Sequence, residues 1–464
     1  MSEVMASLVV SADALADALK KFKSIVPKSM GYSSATLRDN ILLSFTQDYK
    51  LCLYAENGET GLKVVVGTAE SYGLSSLVVS YSGLVAAVSA FKNEGLLLYL
   101  SDTLSLRCQS GDGMAECLST YPVDKYPAIT ETVDVKPLTF PAGVFMDALA
   151  VIAPCAEAGD GKNALQNVYF AYRKQGGVEM VATDSHRMAT YAFPGVTGHI
   201  PEVSDPTERE TPEDKEKAQY MTGISNKAVS WILRHAGRSG DIVIRFDKKR
   251  VEIAGNNWTL FSRLYDGRYP AYRNVIDDIP DMPGRLVVKR IELLDRLKKA
   301  RAAARDEPHQ AITFMGSGNG EALDVFCKTG ERVIYTTTIP AASRKFPGFT
   351  ATCDFLIDMV ATFSDELFEF RFPARDENGF ILAQSGSVLH ILSPREGMDT
   401  TKPDYLAALA EPDQDYPDVI TAALSTPSLP KRPPPYKAVV KRALADANYR
   451  RTLLEALGVL HTVA

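Results

Sequence analysis

Several signatures of enzymatic and metal sites are missing from this 464-residue sequence. Its six cysteines form no CxxC pair, which argues against a disulfide framework, a zinc site and a thioredoxin-type motif. We expect them to be buried apolar residues. Its six histidines show no HExxH or HxH spacing, and neither GxxxxGK[ST] nor a strand-borne GxGxxG occurs. The sequence therefore predicts no metal, nucleotide or other cofactor.

Long apolar runs are missing as well. Stretches such as Gly95 to Leu100 are far shorter than the ~20 residues that cross a bilayer, so we expect no membrane contact. The first residues include Glu3 and no basic segment, unlike a secretory signal. A cytoplasmic location is the resulting expectation.

An excess of positive charge is also absent. Lys and Arg number 51 against 57 Asp and Glu, a formal charge of −6. This balance argues mildly against a nucleic-acid binder, although it describes the mean charge and not its distribution. With 45% hydrophobic and 23% charged residues, the chain is typical of a globular protein, and its length favours about three domains.

One pattern occurs three times along the chain. Alternating apolar residues predict a short strand, and apolar spacing of i, i+4, i+7 then predicts an amphipathic helix. Without gaps, five positions match: Leu8, Leu138 and Leu286; Val10, Phe140 and Val288; Leu15, Phe145 and Leu293; Asp17, Asp147 and Asp295; and Leu19, Leu149 and Leu297.

Each repeat continues in the same way. Further helices are predicted from Ser80, Ser225 and Cys353, and alternating strands follow each of them. The first two repeats end alike, with DKYPA at Asp124 and DGRYPA at Asp266. The sequence thus predicts an α+β fold with two helices and antiparallel sheet in each of three similar domains.

Domain boundaries follow from the repeats and the segments between them. We predict domains at 1–129, 130–280 and 281–397, joined by exposed connections at 121–136 and 277–284. Residues 204–217 are polar and predict a surface loop. Residues 398–464 match no repeat and predict a proline-rich spacer followed by a basic amphipathic helix.

Two segments carry a family resemblance. VATDSHRMA, from Val181 to Ala189, and FSRLYDGRYPAYRNV, from Phe261 to Val275, are similar to signature segments of the bacterial DNA polymerase III beta subunit, the sliding clamp. With the three repeats, the resemblance covers roughly residues 1–397. Either segment alone would be suggestive, whereas the two at this spacing are specific.

The resemblance implies the DNA clamp fold and a role in DNA replication. Two chains would associate head to tail into a homodimeric ring of six similar domains, a heterologous contact that closes. Such a ring is a processivity factor without enzymatic activity: it encircles duplex DNA and tethers the polymerase. The family further implies an ATP-dependent clamp loader and other clamp-binding proteins as partners.

The resemblance also implies a pocket for short apolar peptide motifs of these partners. Three residues depart from the family pattern: Ser185 where Gly is usual, Met188 where Leu is usual and Asn274 where Arg is common. The pocket residues carried over by match are Leu165, Thr183, His186, Arg187, Met188, Pro270, Val275, Ile391, Leu392 and Pro394.

Basic residues on the repeat helices are the candidates for facing DNA. Most of them lie off the apolar stripes, and a basic lining would reconcile DNA binding with the acidic mean charge. The first helix of the second repeat has no basic residue, so in that repeat the candidates lie on the second helix. The set is Lys20, Lys21, Lys23, Lys227, Arg234, Arg238, Arg296, Lys298, Lys299 and Arg301.

Three other readings remain open at this point. Asp184, Ser185 and His186 suggest a hydrolase, although adjacent residues cannot form a Ser-His-Asp triad; His186 could instead satisfy a buried turn. The chain could be an interaction hub with the clamp fold and no DNA loading. The 398–464 extension could cover the peptide pocket and compete with partners, or it could present an extra binding helix.

Overall fold

The computed structural model describes residues 7–395 with short gaps. These gaps are 28–38, 46–47, 49, 68–69, 73–75, 92–93, 101–104, 112, 120, 122, 128–133, 160, 174–175, 202–220, 248, 266–268, 306–309, 318–319, 330–331 and 374–378. The proposed loop at 204–217 and the extension at 398–464 lie outside the described residues, so what was predicted for them stays a prediction.

The chain divides into two compact units. The first is Met1–Ala182 with Phe193–Pro270, and the second is Thr183–Ala192 with Ala271–Ala464. The first unit contains the first repeat and most of the second, while the second unit contains the third repeat. The division into three domains therefore stays a prediction.

In the first repeat, a strand and a helix are followed by strands, a second helix and more strands, as predicted. The elements are β1 (Ser7–Ser11), α1 (Ala12–Lys21), β2 (Asn40–Phe45), β3 (Leu51–Glu56), β4 (Thr60–Val66), β5 (Glu70–Tyr72), β6 (Leu77–Ser80), α2 (Tyr81–Ser89), β7 (Gly95–Leu100), β8 (Ser105–Ser110) and β9 (Gly113–Ser119).

The second repeat has the same order and adds a short helix at its end. Its elements are β10 (Leu138–Pro141), α3 (Ala142–Ile152), β11 (Asn167–Tyr172), β12 (Val178–Thr183), β13 (Arg187–Phe193), β14 (Met221–Ser225), α4 (Asn226–His235), β15 (Asp241–Phe246), β16 (Arg250–Ala254), β17 (Trp258–Arg263) and α5 (Tyr272–Asp277).

The third repeat lies in the second unit. Its elements are β18 (Gly284–Lys289), α6 (Arg290–Ala303), β19 (Ala311–Gly316), β20 (Ala322–Thr329), β21 (Arg332–Arg344), β22 (Phe349–Thr352), α7 (Cys353–Ala361), β23 (Leu367–Phe372), β24 (Ile381–Ser385) and β25 (Val388–Leu392).

Burial explains why the repeated pattern recurs. Every apolar side chain of the five matching positions is buried, from Leu8 in the first repeat to Leu297 in the third. Fully burying one such side chain stabilises the fold by about 1.5–3 kcal/mol. The repeated aspartate is instead exposed and pairs with a cation each time: Asp17 with Lys20, Asp147 with Arg238 and Asp295 with Lys299.

Serine begins three of the helices. The hydroxyls of Ser11, Ser80 and Ser225 each accept a hydrogen bond of 3.3 Å from the main-chain nitrogen three residues later. Such a cap satisfies one of the free donors of the first helical turn. The predicted starts at Ser80 and Ser225 are confirmed.

Antiparallel sheets form the rest of each unit. In the first unit the strand orders are β5-β1-β7-β8-β9, β10-β15-β16-β17-β4-β3-β2-β6 and β14-β11-β12; in the second unit the order is β13-β25-β24-β23-β18-β21-β20-β19-β22. Two pairings join strands of consecutive repeats within a unit: β4 with β17, and β13 with β25.

Some predictions need correction or completion. Tyr126, in the connection expected to be exposed, is buried because its ring packs against Tyr54 and its hydroxyl donates to the Asn40 carbonyl at 2.9 Å. Gly284, in the other connection, is buried in β18. Burial is confirmed for five cysteines, whereas the Cys117 side chain lies outside the described part. Within the described residues, no helix has the length and apolarity of a membrane span.

Candidate functional site

A tight turn between β12 and β13 carries the TDSHR motif. The Asp184 carboxylate accepts hydrogen bonds of 3.0 Å from the main-chain nitrogens of His186 and Arg187. The Thr183 hydroxyl donates to the Arg187 carbonyl at 2.6 Å and accepts from the Ser185 nitrogen at 3.1 Å. Ser185 has a φ of 72°, a left-handed conformation that favours glycine. Two side chains therefore hold a turn whose tip is strained.

Arg187 is fixed by three neighbours. Its Nε lies 3.0 Å from Asp184 Oδ2, and its Nη1 lies 2.7 Å from Asp358 Oδ2 on α7. Its guanidinium carbon lies 4.1 Å from the centroid of the Phe355 ring, a cation–π contact. Sequence reasoning missed Phe355 and Asp358, because nothing in the local sequence distinguishes them from other residues of an amphipathic helix.

The geometry does not favour the hydrolase alternative. In a Ser-His-Asp triad the carboxylate orients the imidazole, which contacts the serine hydroxyl. Here the Asp184 carboxylate contacts main-chain nitrogens and the Arg187 guanidinium. The His186 side chain is exposed, and its ring centroid lies 6.4 Å from that of Phe355. The alternative in which His186 satisfies a buried turn is also wrong.

The pairing of β13 with β25 separates the candidate pocket residues onto two faces. Arg187 lies opposite Leu392, and Met188 lies opposite Ile391. Successive side chains of a strand point to opposite faces of the sheet. Arg187 and Leu392 therefore share one face, and Met188 and Ile391 share the other. Leu392 is fully buried in the core of the second unit, and its assignment to the pocket stays a prediction. Met188 and Ile391 are 5% and 3% exposed, which suits a pocket floor.

The remaining candidates fall in different units. Val275 on α5 and Pro394 after β25 belong to the second unit, and both are half-buried. Leu165, half-buried, and Pro270, exposed, belong to the first unit. On the paired strands and the turn that precedes them, the structure brings together Thr183, His186, Arg187, Met188 and Ile391.

A buried histidine lies beside Arg187 on the same strand pair. His390 is 2% exposed, and its Nε2 lies 3.0 Å from the Thr362 hydroxyl. Burial, together with the nearby Arg187 guanidinium, lowers the pKa of His390 to about 3. His390 is therefore a neutral part of the core at ordinary pH.

Most of the candidate DNA-facing cations are exposed, and about half of them already pair with carboxylates. The apolar stripe of α6, formed by Leu293, Leu297 and Ala300, is buried, and its cations lie off it as predicted. Arg296, Lys299 and Arg301 pair with Glu292, Asp295 or Asp354. Within the described part, Lys23, Lys227, Arg234 and Lys298 have no ion pair.

Three of these cations differ from the prediction in placement or exposure. Helix α1 ends at Lys21 and α4 at His235, so Lys23 and Arg238 lie beyond their helices. Arg238 reaches back to pair with Asp147 on α3. Lys21 is half-buried, and burial lowers its pKa.

Part of the basic set gathers at one cavity of the first unit. This cavity of about 310 Å³ is lined by Lys227, Arg234 and Trp231 of α4 and by Ser24 after α1. The Trp231 Nε1 donates to the Lys21 carbonyl at 2.9 Å, which ties α4 to the end of α1. Two unpaired cations of the second repeat thus lie beside the first repeat.

Two comparisons identify similar proteins, whereas no protein-family model matches the chain. The chain is 22% identical over 245 residues to the beta sliding clamp of Halalkalibacterium halodurans, over 53% of this chain and 60% of that protein. It is 25% identical over 212 residues to the beta sliding clamp of Synechocystis sp., over 44% of this chain and 50% of that protein. The matches thus span about half the length of these curated relatives.

Solved structures match over a larger part of the chain. The DNA polymerase III beta subunit of Thermotoga maritima has a TM-score of 0.67 at 19% identity, covering 84% of this chain and 99% of that one. The sliding clamp of Pseudomonas aeruginosa bound to griselimycin has a TM-score of 0.70 at 15% identity, covering 84% of this chain and 99% of that one. The sliding clamp of Bacillus subtilis has a TM-score of 0.68 at 14% identity, covering 85% of this chain and 100% of that one. The resemblance, the α+β class and the clamp fold predicted from the sequence are confirmed.

Proposed function

We propose that the protein is a sliding clamp that encircles duplex DNA and makes a DNA polymerase processive. The observation that carries this proposal is the clamp fold over 84% of the chain, shared with proteins described as DNA polymerase III beta subunits. Three repeats per chain would give six in a closed homodimer. A ring of this kind is retained by topology, so it needs no base-reading motif.

The proposed contact with DNA is electrostatic and independent of sequence. The exposed cations of α4 and α6 would face the phosphates, with the unpaired Lys227, Arg234 and Lys298 contributing most. The pairs formed by Arg296, Lys299 and Arg301 lie at the surface, where solvent and salt screen an ion pair and it contributes little to stability. These cations can therefore exchange a carboxylate for a phosphate at little cost.

The proposed partners bind a pocket at the turn and strand pair of the second unit. Met188 and Ile391 would form an apolar floor, with Thr183 and His186 of the turn as its polar rim, and Arg187, on the opposite face of β13, would hold the turn in place. Val275 and Pro394 stay candidates for its walls, and the assignments of Leu165 and Pro270, which belong to the first unit, stay predictions. A polymerase, an ATP-dependent loader and other DNA-processing proteins would insert short motifs, and the chain itself would be a cytoplasmic accessory subunit, not an enzyme.

Retention on end-blocked DNA tests the proposal without a loader. The protein threads onto linear biotinylated duplex, streptavidin then closes both ends, and the bound fraction is followed over time in high salt. We expect slow loss from blocked DNA and rapid loss from open DNA, because only the ends release a ring. Equal loss from both would contradict the clamp, and peptide binding with equal loss would favour the interaction hub.

Charge reversal provides the matched variant. The triple variant Lys227→Glu, Arg234→Glu, Lys298→Glu removes three unpaired cations, and we expect it to thread poorly at low salt. Its control is Lys136→Gln, an exposed lysine whose Nζ lies 3.4 Å from the Thr197 hydroxyl, away from these helices in the sequence. Threading by the triple variant equal to that of the control would remove these residues from the DNA-facing set.

A further inference from the structure

The turn of the TDSHR motif has a counterpart in the first repeat. Between β3 and β4, the Asn57 side-chain oxygen accepts from the nitrogens of Glu59 and Thr60 at 3.0 and 2.9 Å. Asp184 makes the same two contacts, both at 3.0 Å. At the tip, Gly58 has a φ of 92°, where Ser185 has 72°. The two turns are thus equivalent in geometry, although their sequences share little.

The strands that follow these turns are paired in the same way. In the first unit Thr60 lies opposite Ser262, and Gly61 lies opposite Phe261. The corresponding pairs of the second unit are Arg187 with Leu392 and Met188 with Ile391. The main chain repeats a further contact: the Arg263 nitrogen donates to the Glu59 carbonyl at 2.9 Å. The Ser393 nitrogen donates to the His186 carbonyl at 2.8 Å. The β4–β17 junction therefore has the framework of the proposed peptide pocket.

A cavity opens at this junction, and a glycine lies in its lining. Gly61 occupies the register position that Met188 occupies in the second unit. A Cβ at Gly61 would lie 3.2 Å from the Tyr54 hydroxyl, a tight contact, so the Tyr54 side chain lies over this position where the second unit has the Met188 side chain. The cavity has a volume of about 400 Å³, and Tyr54, Phe261 and the residues of the β3–β4 turn contribute to its lining.

Two arginines at this cavity face each other. Arg250 and Arg263 are exposed Cα partners on β16 and β17, so their side chains leave the sheet on the same face. Both line the cavity together with Lys249. Within the described residues none of these three cations has an ion pair. Like charges directly opposite each other destabilise a sheet, and a bound anion would relieve that repulsion.

We infer that this junction is a second peptide-binding site, one that takes an acidic segment instead of an apolar one. Carboxylates of the peptide would bind Arg250 and Arg263, and an aromatic residue would contact Phe261 and Tyr54 in the cavity lining. The cations form one cluster in the lining, not a track along which a nucleic-acid backbone could lie. The inference rests on the peptide pocket proposed for the second unit, and its test measures peptide binding and not retention on DNA.

Direct binding to the full chain tests the inference. The probe is fluorescein-labelled acetyl-Ala-Glu-Phe-Glu-Ala-amide, followed by fluorescence anisotropy, and its partner probe carries Gln in place of both Glu residues. We expect saturable binding of the acidic probe and about tenfold weaker binding of the Gln probe, because charge-assisted hydrogen bonds are lost. The double variant Arg250→Gln, Arg263→Gln should weaken binding of the acidic probe by about tenfold or more.

Three controls make the outcome decisive. Lys136→Gln, in the same unit, should bind the acidic probe like the unchanged protein, and thermal melting should show that the double variant is folded. Equal binding of both probes, no effect of the double variant, or no binding up to about 1 mM would each overturn the inference. Displacement of the probe by a short DNA duplex at lower concentration than by unlabelled peptide would assign the site to nucleic acid instead.

Discussion

Arg187 and Asp358 are 171 positions apart in the sequence, yet the Nη1 of one lies 2.7 Å from the Oδ2 of the other. This ion pair ties the turn after β12 to helix α7 within the second unit. The same guanidinium also contacts Asp184, and only 12% of the side chain is exposed. A short motif read from the sequence is therefore positioned by a helix far along the chain.

Removing the Arg187 guanidinium should destabilise the second unit. In Arg187→Ala, Asp184 keeps its main-chain bonds but loses its cation while it is only 12% exposed. A partly buried carboxylate without its partner costs about 1–3 kcal/mol. Chemical denaturation followed by circular dichroism measures the change. Lys20→Ala is the control: it removes an ion pair whose lysine is 74% exposed, and we expect a much smaller change.

Ser185→Gly should stabilise the protein. Ser185 has a φ of 72°, and glycine adopts this conformation without the steric cost that a Cβ imposes. We expect a gain of about 0.5–1 kcal/mol in the free energy of unfolding, reduced by the greater freedom of glycine in the unfolded chain. The reciprocal change Gly58→Ser, in the equivalent turn at a φ of 92°, should destabilise. A loss of stability in Ser185→Gly would contradict the strain at this tip.

The fold could be predicted from local sequence patterns. The features that could not be predicted depend on contacts between residues that are distant in the sequence. Leu8, Leu138 and Leu286 were predictable because alternation and helical spacing are local. Leu392 was placed in the pocket by matching a motif, whereas its face of the strand depends on pairing with β13 and on the core beneath α7. Asp358 was missed for the same reason, since its role arises from a neighbour distant in sequence.

Acid should weaken the second unit through His390. Burial and Arg187 lower its folded-state pKa to about 3, against about 6.5 in an unfolded chain. The unfolded state therefore binds the proton first. The stabilising contribution of the neutral ring is complete above pH 6.5 and is lost as the pH falls towards 3, by at most about 1.4 kcal/mol per pH unit.

The matching variant for this pH dependence is His390→Gln, which keeps a polar side chain near the Thr362 hydroxyl and does not titrate. We expect its free energy of unfolding to change less with pH between about 3 and 6.5, the interval between the two pKa values, and NMR of the unchanged protein to show a neutral His390 imidazole at pH 5. Identical slopes for both proteins, with the ring protonated at pH 5, would contradict a buried neutral histidine.

The proposed DNA contact predicts different effects for an unpaired and a paired lysine of α6. Lys298 has no ion pair in the described part, whereas Lys299 lies 2.7 Å from Asp295. If Lys298 contacts a phosphate, Lys298→Gln should lower the slope of log affinity against log salt by about 0.9. Lys299→Gln should lower it less, because Asp295 competes for that ammonium group. The same slope for Lys298→Gln as for the unchanged chain would exclude it from the DNA contact.

Arg263→Gln should stabilise the free protein, although it removes a charged residue from the surface. Arg263 lies directly opposite Arg250 on the neighbouring strand, and neither has an ion pair among the described residues. Relieving such like-charge repulsion is worth about 0.2–1 kcal/mol, measured as a rise in the melting temperature at low salt that fades at high salt. Arg245→Gln is the matched control, because Arg245 pairs with Glu252 at 2.7 Å and its loss should destabilise. If Arg263→Gln both stabilises the fold and weakens binding of the acidic probe, the arginine serves ligand binding and not stability. A melting temperature below that of the unchanged chain would contradict the repulsion between the two arginines.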